Sequence, residues 1–148
     1  MDMSGEYEIA ASRETVWAAL NDPDVLRACI PGCEELDQQS ETEMTATVVQ
    51  RIGPVKAKFK GRVELQNLDT PNGYDIVGEG QGGVAGFAKG GARVDLEDTA
   101  NGGTLLKYNA QAQIGGKLAQ IGSRLVASTA KKVADKFFSN FADHLSKG

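Results

Sequence analysis

The chain's long second half changes its hydrophobic period once, and that change limits what it can fold into. From Glu34 to Ile114 apolar and polar residues tend to alternate, whereas from about Lys117 to Leu145 apolar residues return every three or four positions. The first pattern belongs to strands with one wet face, the second to an amphipathic helix. Alternation is cleanest in Val55-Lys56-Ala57-Lys58-Phe59-Lys60-Gly61-Arg62-Val63-Glu64-Leu65-Gln66, with apolar or small residues at odd positions. Gly53-Pro54, Asn72-Gly73 and Asn101-Gly102-Gly103 are turn signals. They punctuate strands at Glu43–Arg51, Tyr74–Val77, Ala92–Glu97 and Thr104–Ile114, and six or seven antiparallel strands are expected in all.

Ahead of this meander, residues 3–10 read as a strand. Ser12 then offers a helix N-cap, with Thr15 in the position where a capping box places Glu. Val16, Trp17, Ala19 and Leu20 follow at helical spacing, Trp17 being the anchor to the core. Asn21-Asp22-Pro23 stops that helix and starts a short second one through Val25, Leu26, Ala28 and Cys29, which Ile30-Pro31-Gly32 closes.

At 148 residues and 41% hydrophobic content the chain makes one domain, residues 1–148. The expected class is α+β: a sheet with one dry face needs a cover, and only the C-terminal helix is long enough. Gly61, Gly78 and Gly80 fall where a sheet bends or something approaches its backbone. A curved sheet around one helix encloses a hollow. Strand parity nominates Phe59, Gly61, Val63, Ile76, Val94, Tyr108, Ala110 and Ala112 as its floor. The helix, read as continuous, supplies Ile121, Gly122, Leu125 and Thr129 as a small-residue roof, while Phe137, Phe138 and Phe141 seal the other end. Tyr108 is the polar handle on the floor, with a hydroxyl suited to a ligand carbonyl; a core tyrosine with its hydroxyl at the rim is the plain alternative.

Several function classes lack the residues they need. The one histidine, His144, stands near the C-terminus, so a Ser-His-Asp or Cys-His arrangement would have to use it. Cys29, Cys33 and that distant histidine fall short of a four-ligand zinc set, and no catalytic or metal-binding residue is nominated. The net charge of −4 gives no basic field for nucleic acid, and no apolar run approaches the ~20 residues of a membrane span. Met1–Glu6 shows no signal-peptide pattern, so a cytoplasmic location is expected.

Three local features keep two readings each. Ten of the 18 glycines lie between Gly73 and Gly103, and Gly78-Glu79-Gly80-Gln81-Gly82-Gly83 matches G-x-G-x-x-G, but no helix opens after it as a dinucleotide site requires. This segment is a bulged hairpin or, with Val84, Ala85, Gly86 and Phe87, an apolar gate or docking loop at the hollow's mouth. Cys29 and Cys33 flank three residues rather than the two of a redox motif. They pack as small hydrophobes about a Pro31-Gly32 turn, or that turn docks a partner. Lys56, Lys58, Lys60 and Arg62 share one strand face, either as a solvated face or as a patch for lipid headgroups or an acidic protein; no aromatic residues are interleaved there for RNA.

The block Trp17-Ala18-Ala19-Leu20-Asn21-Asp22-Pro23, then Leu26 and Cys29-Ile30-Pro31-Gly32-Cys33-Glu34, resembles the CoxG family, the G subunits of carbon monoxide dehydrogenase. Gly82 to Gly90 and Gly115 to Arg124 are similar to it as well. That family sits in the helix-grip superfamily of START and Bet v 1 domains. The resemblance implies a curved antiparallel sheet around one long helix and accessory work beside a molybdenum-containing CO dehydrogenase or related hydroxylase. It further implies membrane recruitment at the inner membrane face, or carriage of a quinone or other lipid with no covalent cofactor. The enzyme alternative is a polyketide cyclase, aromatase or hydrolase using the same hollow.

Overall fold

The computed structural model describes residues 1–147. The chain order is β1 (Asp2–Ile9), α1 (Arg13–Leu20), α2 (Pro23–Cys29), β2 (Cys33–Gln38), β3 (Glu43–Ile52), β4 (Val55–Asp69), β5 (Gly73–Gln81), β6 (Phe87–Asp98), β7 (Thr104–Gly115), α3 (Lys117–Ile121) and α4 (Ser123–Lys147). A single 3-10 turn, Gly83–Ala85, links β5 to β6. The seven strands form one antiparallel sheet in the order β1-β7-β6-β5-β4-β3-β2. The meander therefore runs β2 to β7, and the first strand closes it on β7. This is the α+β architecture that the two periods imply.

The short helices begin where the sequence places their caps. The Ser12 side chain accepts from the Thr15 backbone N–H at 3.2 Å, and Asp22 accepts from Asp24 N at 2.9 Å with Pro23 in the first turn. Both helices pack over one end of the sheet, and the deepest side chains there include Val16, Cys29, Leu106 and Phe141. Trp17 meets Tyr74 edge-on, with ring centroids 5.2 Å apart.

Two details differ from the sequence expectation. The C-terminal helix is not continuous: it breaks at Gly122, whose φ of +107° and ψ of 142° lie outside helical geometry. A Cβ at this position would meet no atom within 4 Å, so backbone conformation rather than close packing is what glycine serves there. The break lets α3 set Leu118 into the core while α4 takes its own direction. At Asn72-Gly73 the β4–β5 connection is also longer than a two-residue hairpin, with pairing that shifts between Gln66 and Asp69.

Helix α4, at 25 residues and ~1.5 Å rise each, spans about 37 Å. Its backbone comes near α2, β1 and β3. Phe141 is wholly buried in the cluster beneath α1 and α2, with Phe137, Phe138 and Leu145 packed against that cluster. A second cluster joins Ile52, Leu118 and Val126, with Phe59, Ile114 and Ile121 around it. The core thus has two centres, and α4 carries residues of both.

Because Phe141 is the helix's deepest aromatic contact, Phe141→Ala should lower unfolding free energy by about 3–5 kcal/mol in urea titration. Val84→Ala, at a side chain 87% exposed, should change it by less than about 0.5 kcal/mol.

Candidate functional site

The register arranges the inward side chains in rows across the sheet. Leu96 and Leu106 lead to Tyr7; the next row runs Tyr74, Val94, Tyr108 and Gly5. Then come Leu65, Ile76, Ala92, Ala110 and Met3, followed by Val63, Gly78, Gly90 and Ala112. Gly61, Gly80 and Ala88 form the last row before Phe59 and the second cluster. Side-chain size therefore falls from the α1–α2 end toward the middle of the sheet and rises again at the far end.

Burial follows the same course. Leu96, Leu106 and Val94 are buried, whereas Gly61, Val63, Ile76, Gly78, Gly90, Ala92, Ala110 and Ala112 are only half-buried although they face inward. These small residues leave little side-chain volume between the two clusters, and Gly78, Gly90 and Ala112 also border a recess on the outer face of the sheet. On α4 the residues between Val126 and Phe137 include Ala127, Ala130 and Ala134, also half-buried. Among the described inward positions of β3 to β7 the titratable groups are the phenols Tyr74 and Tyr108 and, at the exposed end of β6, Asp98, which pairs with Arg13 at 3.3 Å. Tyr74 is buried, and desolvation raises its pKa well above the ordinary phenol value.

The nominated floor residues thus separate by environment. Val94 belongs to the first cluster, with Val63, Ile76 and Tyr108 packed against it; Phe59 and Ile121 border the second; Gly61, Ala110 and Ala112 lie between. Three nominated residues stand elsewhere. Phe87 is 36% exposed at the start of β6, its ring lying over Gly115. Leu125 is 40% exposed, and Thr129 turns its hydroxyl back to the Leu125 carbonyl at 3.0 Å. These last two line an open groove of about 470 Å³ between α4 and β3, together with Pro31, Arg51, Lys132 and Lys136. The reason is helical phase: the break at Gly122 resets which face of α4 looks inward, so Val126 takes the buried position and Leu125 the flank.

The Gly-rich turn is asymmetric. Ala85 is buried while Val84 projects outward, so the turn plugs the sheet end with one side chain and exposes the next. Beside it lies a recess of about 630 Å³ lined by Pro54, Lys56, Lys58, Lys60, Val84 and Lys117 among others. Of the outward cations, Lys58 pairs with Glu34 at 3.1 Å and Arg62 pairs with Glu43. A further recess, about 760 Å³, is on the outer face of the sheet among Arg62, Glu64, Glu79, Lys89 and Gln111. Its mixed charges make it a poor match for an apolar ligand.

The Cys29–Cys33 turn is fastened to its surroundings. The Asn140 side chain donates to the Cys29 carbonyl at 2.9 Å, the Gln50 amide donates to the Pro31 carbonyl at 2.6 Å, and Val49 N donates to the Gly32 carbonyl at 2.9 Å. Both thiols are free. Burial raises each pKa, Cys33 despite the lowering effect of Arg27, so both favour the thiol over the reactive thiolate. Among the described residues no cluster of His, Cys, Asp and Glu is placed to hold a metal ion, and no helix is long and apolar enough to cross a membrane.

Sequence reasoning missed Tyr7 and Asp135. The Tyr7 hydroxyl donates to the Asp135 carboxylate, tying β1 to α4. Alternation along β1 already put Tyr7 on the face shared with Ile9; nothing local in the sequence pointed to Asp135 as its partner.

Comparison with solved structures gives the fold its relatives. A conserved protein from Geobacillus kaustophilus is 31% identical with a TM-score of 0.93, covering 99% of this chain and 96% of its own. A START superfamily protein from Mycobacterium smegmatis has 14% identity and a TM-score of 0.74 over 99% of this chain and 97% of its own. A protein from Thermus thermophilus gives 14% and 0.71, over 97% and 95%. These last two likenesses establish the START-like fold. A search of curated proteins returned no match. The family model of CoxG, the G subunit of carbon monoxide dehydrogenase, matches residues 5–146, and the chain belongs to the CoxG family.

Proposed function

We propose that this chain is a non-enzymatic carrier that holds a quinone or other lipid between its sheet and α4, as an accessory protein of a molybdenum-containing CO dehydrogenase or related hydroxylase. Membership in an accessory-subunit family and a START-like fold support a ligand-binding accessory role. The observation that carries the reading is the split core: two apolar clusters separated by rows of glycine and alanine that face inward and remain half-buried. Covering roughly 300 Å² of an apolar ligand at ~25 cal/mol per Å² yields about 7 kcal/mol before the cost of association. A cyclase, aromatase or hydrolase needs a titratable acid or base in that interior. Apart from exposed Asp98 at the end of β6, the inward positions of β3 to β7 supply only phenols, which favours carriage over chemistry.

Charge distribution supports a docking end. The turns at Gly53-Pro54 and Gly82–Gly86 and the start of α3 lie together, since one recess is lined by residues of all three. Residues 44–63, 80–94 and 99–134 contain no Asp or Glu, although the chain holds 20 acids. Arg51, Lys56, Lys58, Lys60, Lys89 and Lys117 stand on those segments near the turns, beside exposed Val84. The opposite turns carry Glu41, Asp69 and Asp98. An otherwise acidic protein thereby presents one basic, apolar-tipped end, suited to peripheral contact with anionic membrane at its cytoplasmic face or to an acidic surface of the partner enzyme.

Native mass spectrometry of the purified chain, followed by delipidation and quinone titration, tests the carrier reading. Saturable binding of one quinone per chain is expected, and no bound lipid with no saturable uptake would refute it. Ala112→Phe, which places a ring in the row of Gly78 and Gly90, should weaken quinone uptake at least about tenfold with the fold retained. For docking, replacing Lys56, Lys58 and Lys117 by Glu should abolish cosedimentation with phosphatidylglycerol vesicles at low salt, each lost cation being worth about 1 kcal/mol near such a surface. Unchanged cosedimentation would place the contact elsewhere.

A further inference from the structure

The groove of about 470 Å³ between α4 and β3 stands apart from the rows of glycine and alanine. Strand β2 stops pairing with β3 at Val48, so no strand covers that edge of β3 from Gln50 to Ile52. Its walls are fixed by local contacts. The Gln50 amide donates to the Pro31 carbonyl at 2.6 Å and holds the turn after α2 against β3. Leu125 lies on the β3–β4 turn: a Cβ at Gly53, whose φ is +59°, would stand 2.6 Å from the Leu125 Cδ2. On the helix, Leu125, Ser128, Lys132 and Lys136 recur at three- and four-residue steps and share one face, which at ~1.5 Å rise per residue is about 16 Å long.

The charge of this groove has one sign. Arg51, Lys132 and Lys136 line it, all three are exposed, and no acid is among its described lining residues. Among the described residues none of the three belongs to an ion pair. The acids nearest to it in the sequence are engaged elsewhere. Glu34 pairs with Lys58 at 3.1 Å, and Asp135 accepts from Tyr7 of β1 and from Lys131. Lys131 is thereby neutralised while Lys132, the next residue, is not. A concave surface of one sign concentrates its field and draws the opposite charge. The guanidinium offers paired donors to carboxylate or phosphate oxygens, and the two ammonium groups add point charges.

Size separates the candidate occupants. A stable protein interface covers roughly 800 Å² on each partner, whereas pockets for single small molecules run from roughly 300 to 1,000 Å³. The groove falls in the second class. It also joins its cations to apolar surface, since Leu125 is 40% exposed and Val133 and Pro31 are half-buried beside it.

We propose that this groove binds a free single-chain anionic amphiphile, its carboxylate or phosphate held by Arg51, Lys132 and Lys136 and its chain lying against Leu125, Val133 and Pro31. The assignment is independent of the carrier reading, because none of these residues belongs to the inward rows of glycine and alanine. Both parts of the ligand are required. A chain without the head leaves three cations uncompensated, and a head without the chain leaves Leu125 uncovered.

The test is titration of the full chain with dodecyl phosphate below its micelle concentration, followed by amide shifts in heteronuclear NMR spectra. Saturable shifts are expected at residues 50–53 and 125–136. Dodecanol and inorganic phosphate should each bind at least about tenfold more weakly, the consequence of losing hydrogen bonds to charged donors in one case and apolar cover in the other. Lys132→Glu combined with Lys136→Glu should weaken dodecyl phosphate at least about tenfold and leave quinone uptake unchanged, both side chains being exposed. Equal binding of dodecanol, equal binding of inorganic phosphate, or affinity that survives the double substitution overturns the assignment. A tetraglutamate peptide that shifts the same amides at equal concentration also overturns it, and gives the groove to an acidic protein segment. Each of these outcomes leaves the carrier reading standing.

Discussion

Everything in this molecule depends on a helix fastened at both ends. Phe141, wholly buried beneath α1 and α2, fixes the C-terminal half of α4 to the wide end of the sheet. Val126, with Leu118 and Ile52, fixes its beginning at the other. Apolar burial and dispersion act mainly at these two places, because that is where the large side chains are. Between them the sheet presents glycine and alanine. A helix held at two points over small residues need not close onto the sheet beneath it.

Much of this was legible in the sequence. Alternation from Val55 to Gln66 gave the inward face of β4 residue by residue, and that parity carried through the ladder to Ile76, Val94 and Ala110 because antiparallel register preserves it. Ser12, Pro23 and the Asn101-Gly102-Gly103 turn marked boundaries through local chemistry that needs no tertiary context. What failed was phase after an interruption. Gly122 looked like a helical glycine in a long stripe, yet a positive φ ends one helix and starts another, and the expected inward Leu125 turned to the flank. Phe87 belongs to β6 rather than to the loop, and alternation counted back from inward Val94 puts it on the outer side of the sheet. The Tyr7–Asp135 contact joins residues 128 positions apart, and pairings of that kind leave no mark in local periodicity.

The two ends of the molecule divide the work by composition. Aromatic rings and the short helices build the stable end, whose turns are acidic. The glycine-rich end gives up packing for exposed Val84 and a recess lined by four lysines. On the proposed reading, stability and docking are placed at opposite poles, with the rows of glycine and alanine between them. The free thiols fit this scheme as packing groups, since burial keeps them protonated and the turn they flank is held by hydrogen bonds to β3 and α4.

The central claim is that space remains under α4 between the two clusters. Diffraction from crystals of the delipidated chain pressurised with xenon tests it directly, because xenon enters dry apolar space without needing a particular head group. The account predicts ordered xenon against Ala92, Ala110 and Ala112. Side chains of α4 packed onto those alanines, with xenon confined to the outer face of the sheet, would contradict it.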